Sequence, residues 1–68
     1  MLIKVTAPGV YNGEVNVSEG ATVEQALRIA GVNGEGAKQI LLDNKEASLD
    51  AVLHAGQTLF VMPNVKGN

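Results

Sequence analysis

The sequence predicts a small α+β domain in which one helix covers one face of a mixed β-sheet. Short runs near both ends of the chain alternate between apolar and polar residues, which is the two-residue period of a half-buried strand. One segment in the first half has the helical period instead, and a lone helix buries its apolar stripe against one face of a sheet. With 68 residues and no cysteine, the domain depends on an apolar core.

The first two strands are predicted to pair as an antiparallel hairpin. Residues 2–6 and 14–18 each alternate, with their apolar side chains on one face. Residues 7–13 between them contain Pro-Gly and Asn-Gly, both of which are typical of turns. The sequence therefore predicts a hairpin with a rather long loop.

A helix is predicted over residues 22–30. Thr22 and Gln25 have the spacing of a capping box, in which a hydroxyl and an amide bind backbone groups at the helix start. From Val23 onward, apolar residues recur at the i, i+3, i+4, i+7 spacing of one helix face. Gly31 stands where a left-handed residue commonly ends a helix.

The second half of the chain is predicted to add two or three strands. Residues 33–36 are interpreted as a solvent-exposed loop, and residues 39–43 as the third strand. Residues 46–48 form either a short fourth strand or only an edge. Residues 49–53 are expected to make one tight helical turn that plugs the core, and residues 57–62 form the last strand.

This element order (ββαββ) predicts a ubiquitin-like β-grasp fold with a mixed four- to five-stranded sheet. The first and last strands are expected to be parallel central neighbours, joined by a right-handed crossover through the helix. Pro63 cannot donate to a sheet, so the domain is expected to span residues 1–62, with residues 63–68 as a flexible tail. The predicted core consists of Ile3, Val5, Val15, Val17, Val23, Ala26, Leu27, Ala30, Ile40, Leu42, Leu49, Leu53, Leu59 and Val61.

Composition argues against nucleic-acid and membrane partners. The formal net charge is −2, the basic residues are scattered, and Tyr11 and Phe60 are the only aromatic residues. Single-stranded nucleic-acid binders usually combine a basic groove with several aromatic side chains. The chain also has no signal-peptide pattern and no apolar run near the roughly 20 residues needed to cross a bilayer. We therefore expect a cytoplasmic protein.

The sequence contains no pattern typical of a catalytic or metal site. His54 is the only histidine and stands in a predicted turn, without a cysteine anywhere in the chain. Asp43, Glu46 and Asp50 lie close in sequence but lack the alternating ligand spacing of a calcium loop, so we interpret them as a solvated rim. We expect a protein that is not an enzyme and that needs no cofactor.

The last strand offers a candidate binding surface. If its other residues face the helix, Thr58, Phe60 and Met62 project from the open face of the sheet, with Lys4 on the neighbouring strand beside them. Exposed aromatic and thioether groups supply contact area for a partner. Scattered exposed apolar residues are also normal on protein surfaces, so an accidental exposure remains the alternative.

Several short runs resemble the bacterial sulfur-carrier proteins of thiamine and molybdopterin synthesis (ThiS/MoaD-like). Residues 22–27 open the helix as in that family, and residues 53–59 carry a leucine, a turn glycine and a strand in the same order. The strongest similarity is at residues 60–67, where an apolar strand is followed by a proline, a valine and a glycine. The resemblance covers essentially the whole chain in length and element order.

The resemblance implies a carrier without catalysis of its own. An E1-like adenylating enzyme would dock on the open face and activate the C-terminal carboxylate with ATP. A sulfur donor would then form a thiocarboxylate, which a sulfur-accepting synthase would use. By this resemblance Pro63, Val65 and Lys66 contact the partner, and Gly67 and Asn68 form the site of C-terminal activation.

Asn68 departs from the family pattern, which ends in Gly-Gly. Its β-carbon and amide would crowd a channel shaped for glycine, and removing it would leave Lys66 where the first glycine belongs. The alternative is therefore a non-catalytic ubiquitin-like binding or structural module. Such a module would use the open sheet face and would have lost C-terminal activation.

Overall fold

The computed structural model describes residues 1–62 and contains one helix and five strands. In chain order these are β1 (Leu2–Ala7), β2 (Tyr11–Asn16), α1 (Val23–Ala30), β3 (Gln39–Leu42), β4 (Lys45–Glu46) and β5 (Thr58–Met62). The strands form one mixed sheet in the order β2-β1-β5-β3-β4. This confirms the predicted α+β fold of the β-grasp type.

The parallel pair of β1 and β5 forms the centre of the sheet, as predicted. Val5 lies opposite Leu59 in this pair. β2 pairs antiparallel with the outer side of β1, and β3 pairs antiparallel with the outer side of β5. The two residues of β4 add a short edge next to β3. Both central strands therefore have neighbours on each side, which protects their backbone hydrogen bonds from water.

The first hairpin is tighter than predicted, because the Asn-Gly pair at residues 12–13 belongs to β2 rather than to the turn. The connection is residues 8–10 alone. Val10 N donates to the carbonyl oxygen of Ala7 at 2.8 Å, and Gly9 has a φ of 77°. Proline followed by a left-handed glycine is the preference of a type II turn, so Pro-Gly makes the turn without help from Asn-Gly.

Helix α1 begins and ends as predicted. Thr22 Oγ1 accepts a hydrogen bond from Gln25 N at 3.4 Å, and Gln25 Oε1 accepts one from Thr22 N at 2.9 Å. Gly31 takes the left-handed conformation with a φ of 77°. On the exposed side, Arg28 Nη2 lies 3.5 Å from Glu24 Oε2. The capping interactions at both ends of the helix are formed by residues close together in the chain.

Residues 49–53 do not form the predicted helical turn. Their carbonyl groups lie at the beginning of α1, where Leu49 O accepts from Glu24 N at 3.0 Å and Ala51 O accepts from Val23 N at 2.9 Å. The first N–H groups of a helix have no partner within the helix and need outside acceptors. Residues 49–53 supply these acceptors, and to do so they form a turn and a bridge instead of a helical turn.

The same segment continues as an isolated antiparallel bridge between Val52 and Thr22. Leu53 N donates to the carbonyl oxygen of Ala21 at 2.8 Å. This backbone path points Leu53 into the core, where it is 1% exposed, and leaves Val52 50% exposed. The prediction that Leu53 fills the core is confirmed, although the backbone forms a bridge there instead of the predicted helical turn.

The core lies between α1 and the helix-facing side of the sheet, and most of the predicted core residues are buried in it. Four predicted members are only partly buried, namely Ala30, Ile40, Leu42 and Leu49. Three buried residues were not predicted, namely Ala7, Ala21 and Val32. These three stand at the ends of strands and of the helix, where periodicity carries little information.

The loop after α1 is largely exposed, as predicted, but Gly34 within it packs against core side chains. Gly34 is half-buried, and a β-carbon at this position would lie 2.7 Å from Leu27 Cδ1 and 2.8 Å from Leu49 Cδ2. Both distances are too short for real carbon contacts. A side chain at this position would displace the ends of both leucine side chains, so glycine is favoured here by close approach to the core rather than by backbone freedom.

Candidate binding surface

The sheet has one face that points away from α1, which we call the open face. Side chains alternate between the two faces along each strand, and residues opposite each other in register share a face. The described residues on the open face are Leu2, Lys4 and Thr6 of β1, Asn12, Glu14 and Asn16 of β2, Gln39 and Leu41 of β3, Glu46 of β4, and Thr58, Phe60 and Met62 of β5. All of them are exposed or half-buried.

Phe60 lies at the centre of the open face. In register it lies opposite Thr6 of β1 on one side and Leu41 of β3 on the other. All three side chains are half-buried. The next residue of β5 on this face, Met62, lies opposite Gln39 and is 38% exposed. We call Leu41, Phe60 and Met62 the apolar strip.

The structure brings together the predicted site residues that it describes. Lys4 and Thr58 lie opposite each other in the register of β1 and β5 and are both exposed. They share the open face with Phe60 and Met62, as the alternation in the sequence indicated. Phe60 is more covered than an isolated exposed side chain would be, because the central strand has neighbours on both sides.

The remaining predicted site residues lie outside the described residues. These are Pro63, Val65, Lys66, Gly67 and Asn68. Their predicted roles in partner contact and C-terminal activation stay predictions. β5 leads directly into this segment, so its first residue follows the apolar strip in the chain.

Sequence reasoning missed Leu41 and Leu2 as members of the open face. The signal for Leu41 was present, because a strand with Ile40 and Leu42 facing the helix has to turn Leu41 the other way. Leu2 is 52% exposed and alternates with the buried Ile3 in the same manner. Neither residue stands out in the sequence, since apolar residues at successive positions conceal the alternation.

The charged groups of the open face lie to the sides of the apolar strip. Lys4 is on β1 and lies opposite Glu14 of β2, while Glu46 of β4 lies opposite Leu41. Phe60 thus occupies an uncharged centre with polar and charged groups around it. This layout is typical of an interface core with a polar rim.

Asp43 connects the turn between β3 and β4 to the start of β5. It adopts a φ of 51° and Asn44 a φ of 69°, as in a two-residue hairpin turn of type I′. Asp43 N donates to Thr58 O at 2.9 Å, and Asp43 Oδ1 accepts from Thr58 N at 2.9 Å. Asp43 Oδ2 also accepts from Gln57 Nε2 at 3.2 Å. Asp43 therefore does more than line a solvated rim.

Replacing Asp43 by alanine is expected to lower the free energy of unfolding by about 1–2 kcal/mol. The alanine would remove the acceptor of Thr58 N and would be strained in the left-handed conformation. Asp43→Asn is the matched control, because it keeps a side-chain oxygen and tolerates that conformation. Urea denaturation of both variants checks this, and equal losses for the two would contradict the role of the acceptor oxygen.

The polar and titratable side chains of residues 1–62 are all at least partly exposed. No polar or charged residue is buried there, and no group of histidine, aspartate and glutamate side chains is placed to hold a metal ion. No helix in this range is long and apolar enough to cross a membrane. A shallow groove of about 250 Å³ lies between α1 and the following loop, beside Arg28 and Gly34.

Comparison with models of protein families, with curated proteins and with solved structures gives no match for this chain. The fold and the open face are therefore the structural basis on which a function is proposed. Among the described residues, the largest apolar side chains on that face are Leu2, Leu41, Phe60 and Met62.

Proposed function

We propose that this chain is a small ubiquitin-like protein of the sulfur-carrier type. In this proposal an E1-like adenylating enzyme binds the open face and activates the C-terminus, which then becomes a thiocarboxylate that a sulfur-accepting synthase uses. The protein acts in the cytoplasm and performs no catalysis itself. The observation that carries the proposal is the apolar strip, because two of its three residues, Phe60 and Met62, lie on β5, the strand that leads directly into residues 63–68.

The apolar strip has the features of a binding centre. Phe60 is held in a central strand, with neighbours in register on both sides, so little conformational freedom would be lost when a partner covers it. Lys4, Thr58 and Gln39 supply a polar surround that excludes water from a docked centre. Binding energy concentrated on one aromatic anchor is the usual pattern for such interfaces.

The chemistry of activation requires a C-terminal carboxylate that a partner can reach. The carboxylate oxygen attacks the α-phosphorus of ATP, and pyrophosphate leaves, so that an acyl-adenylate forms. Sulfide (HS⁻) from a donor then attacks the acyl carbon, and the bond to AMP breaks as the thiocarboxylate forms. Gly67 supports this step, because a residue without a side chain can enter a narrow channel of the partner enzyme.

The second candidate function is a binding or structural module without C-terminal activation. The observation that favours it is Asn68, which stands where the sulfur carriers end in glycine. In this case the open face would still bind a protein partner, whereas the C-terminal residues would take no part in chemistry. Both candidates use the open face, and they differ in whether the C-terminal carboxylate is activated.

The test of activation is intact mass after incubation with a cognate E1-like enzyme, ATP and a sulfur donor. A carrier gains the mass difference between sulfur and oxygen. Asn68→Gly is the matched variant, because it restores the Gly-Gly end of the family. A mass gain for the natural chain supports the carrier. A gain for Asn68→Gly alone supports the module, and no gain for either, while a known carrier reacts, overturns activation.

Replacing Phe60 by alanine is expected to weaken partner binding at least tenfold, or about 1.4 kcal/mol. Met62→Ala tests the same strip with an exposed residue, so its loss of affinity does not depend on changes in the core. The measurement is titration calorimetry with the adenylating enzyme, after circular dichroism has shown that each variant is folded.

Ile29→Ala is the control for the binding test. Ile29 is 59% exposed on α1, away from the open face, and its truncation is therefore expected to leave the affinity unchanged. A loss of affinity for Ile29→Ala, with none for Phe60→Ala and Met62→Ala, would assign binding to the helix side. That result would contradict both candidate functions, since each of them places the partner on the open face.

A further inference from the structure

The chain contains two Asn-Gly pairs, at residues 12–13 and 33–34, which the fold places in different backbone environments. A glycine after asparagine leaves the following backbone nitrogen unhindered, so this nitrogen can attack the side-chain amide carbon. The reaction needs that nitrogen free of a hydrogen bond and the amide carbon close to it. The two pairs can therefore be compared within one molecule.

The pair at residues 33–34 has the features that favour this attack. Asn33 is exposed, and its Oδ1 accepts a hydrogen bond from Glu35 N at 3.0 Å. This bond folds the side chain over the peptide that follows it and holds a donor at the oxygen that becomes negative during attack. Within residues 1–62, the nitrogen of Gly34 donates to no acceptor.

The pair at residues 12–13 lies inside the sheet. Met1 and Val17 exchange two hydrogen bonds, of 2.7 and 2.8 Å, at the start of the pairing between β1 and β2. Hydrogen-bonded pairs alternate along an antiparallel ladder, so the pair of Val5 and Gly13 is also hydrogen-bonded. The nitrogen of Gly13 is therefore a ladder donor, and the strand conformation holds the Asn12 side chain on the open face.

We infer that Asn33 is a site of spontaneous deamidation, and that the sheet protects Asn12. The Gly34 nitrogen loses its proton to water and attacks Cγ of Asn33, and the side-chain nitrogen leaves as ammonia. The resulting succinimide takes up one water molecule at either carbonyl. Ring opening gives aspartate or isoaspartate at position 33, so the net change is one water gained and one ammonia lost.

The modification would alter the groove beside α1. It adds one negative charge among Glu24, Arg28 and Glu35, which line the groove together with Asn33. Isoaspartate also adds a methylene group to the backbone immediately before Gly34. Since Gly34 lies close to the side chains of Leu27 and Leu49, this longer backbone is expected to disturb the packing of Gly34 against them.

The test follows both asparagines in one sample of the full chain, incubated at physiological temperature and mildly alkaline pH. Peptide mapping by mass spectrometry reports a gain of about 1 Da at each site, as an amide becomes a carboxylate. An isoaspartate-specific methyltransferase identifies the rearranged product. In the folded protein, Asn33 is expected to react at least tenfold faster than Asn12.

A parallel incubation in guanidinium chloride shows whether the difference comes from the fold. There the two pairs are expected to react at similar rates, because both asparagines precede glycine. Asn33→Ser is expected to abolish the reaction at position 33 and to leave the rate at Asn12 unchanged. Equal rates in the folded protein, or a preference for Asn33 that persists in denaturant, would overturn the inference.

Discussion

Replacing Leu27 by alanine is expected to lower the free energy of unfolding by about 2–5 kcal/mol. Leu27 lies on the buried face of α1 and is 1% exposed. Its Cδ1 occupies the space that a β-carbon at position 34 would need. The truncation removes apolar contacts and leaves a cavity between the helix, the sheet and the loop at Gly34. Urea denaturation with linear extrapolation measures the change.

The expected loss is large compared with the stability of so small a domain. A chain of 68 residues has a total of roughly 3–10 kcal/mol. Ile29→Ala is the matched control, since it truncates a branched side chain on the same helix but at 59% exposure. Its effect is expected to stay within about 0.5 kcal/mol. Similar losses for the two variants would show that α1 does not pack through the face that carries Leu27.

Replacing Leu53 by alanine is the second substitution with a large expected effect, again about 2–5 kcal/mol. Leu53 is 1% exposed and enters the core beside the beginning of α1. Its neighbour Val52 is 50% exposed, and the bridge that it forms with Thr22 uses backbone groups only. Val52→Ala is therefore expected to change the free energy of unfolding by less than about 0.5 kcal/mol.

This pair of variants distinguishes the observed backbone from the helical turn that the sequence predicts. In a helical turn, residues 49, 52 and 53 would share one buried face, so both truncations would be strongly destabilising. In the bridge, successive residues point to opposite sides, and only Leu53 is buried. A loss of more than about 1 kcal/mol for Val52→Ala would favour the helical turn. Thermal unfolding followed by circular dichroism provides an independent measurement.

The two candidate functions make different demands on the same molecule. Both need the open face, so the Phe60 and Met62 variants test what the candidates share. Only the carrier needs a reactive C-terminus, so the Asn68→Gly variant tests what separates them. The inferred deamidation site, Asn33, lies on the helix side beside Arg28, so its test is independent of either function.

Helix α1 and the central strands could be predicted from residues close together in the chain. The capping box at Thr22 and Gln25 and the left-handed Gly31 are local devices, whose hydrogen bonds form within a few residues. The alternation in β1 and β5 indicates which residues face the helix, and a one-residue error would expose the whole core. The four described site residues on the open face follow from the same alternation.

The turns and the conformation of residues 49–53, which supply acceptors at the beginning of α1, could not be predicted in this way. The Asn-Gly pair at residues 12–13 has a strong turn preference. However, the preceding Pro-Gly turn closes the hairpin, and the register with β1 places the Asn-Gly pair within β2. Residues 49–53 have a helical pattern, but the first N–H groups of α1 needed their carbonyl oxygens. A local preference amounts to a fraction of 1 kcal/mol per residue, less than the penalty for an unpaired buried backbone group.

The amino-acid sequence thus specifies the α+β class, the helix with both of its ends, and the face of each central strand, because these depend on short-range periodicity and capping. The folded chain alone reveals the close approach of Gly34 to the core, the hydrogen bonds of Asp43 to the start of β5, and the difference between Asn12 and Asn33. Each of these depends on groups far apart in the chain or on a ladder register. Such partners become known only when the whole backbone is assembled.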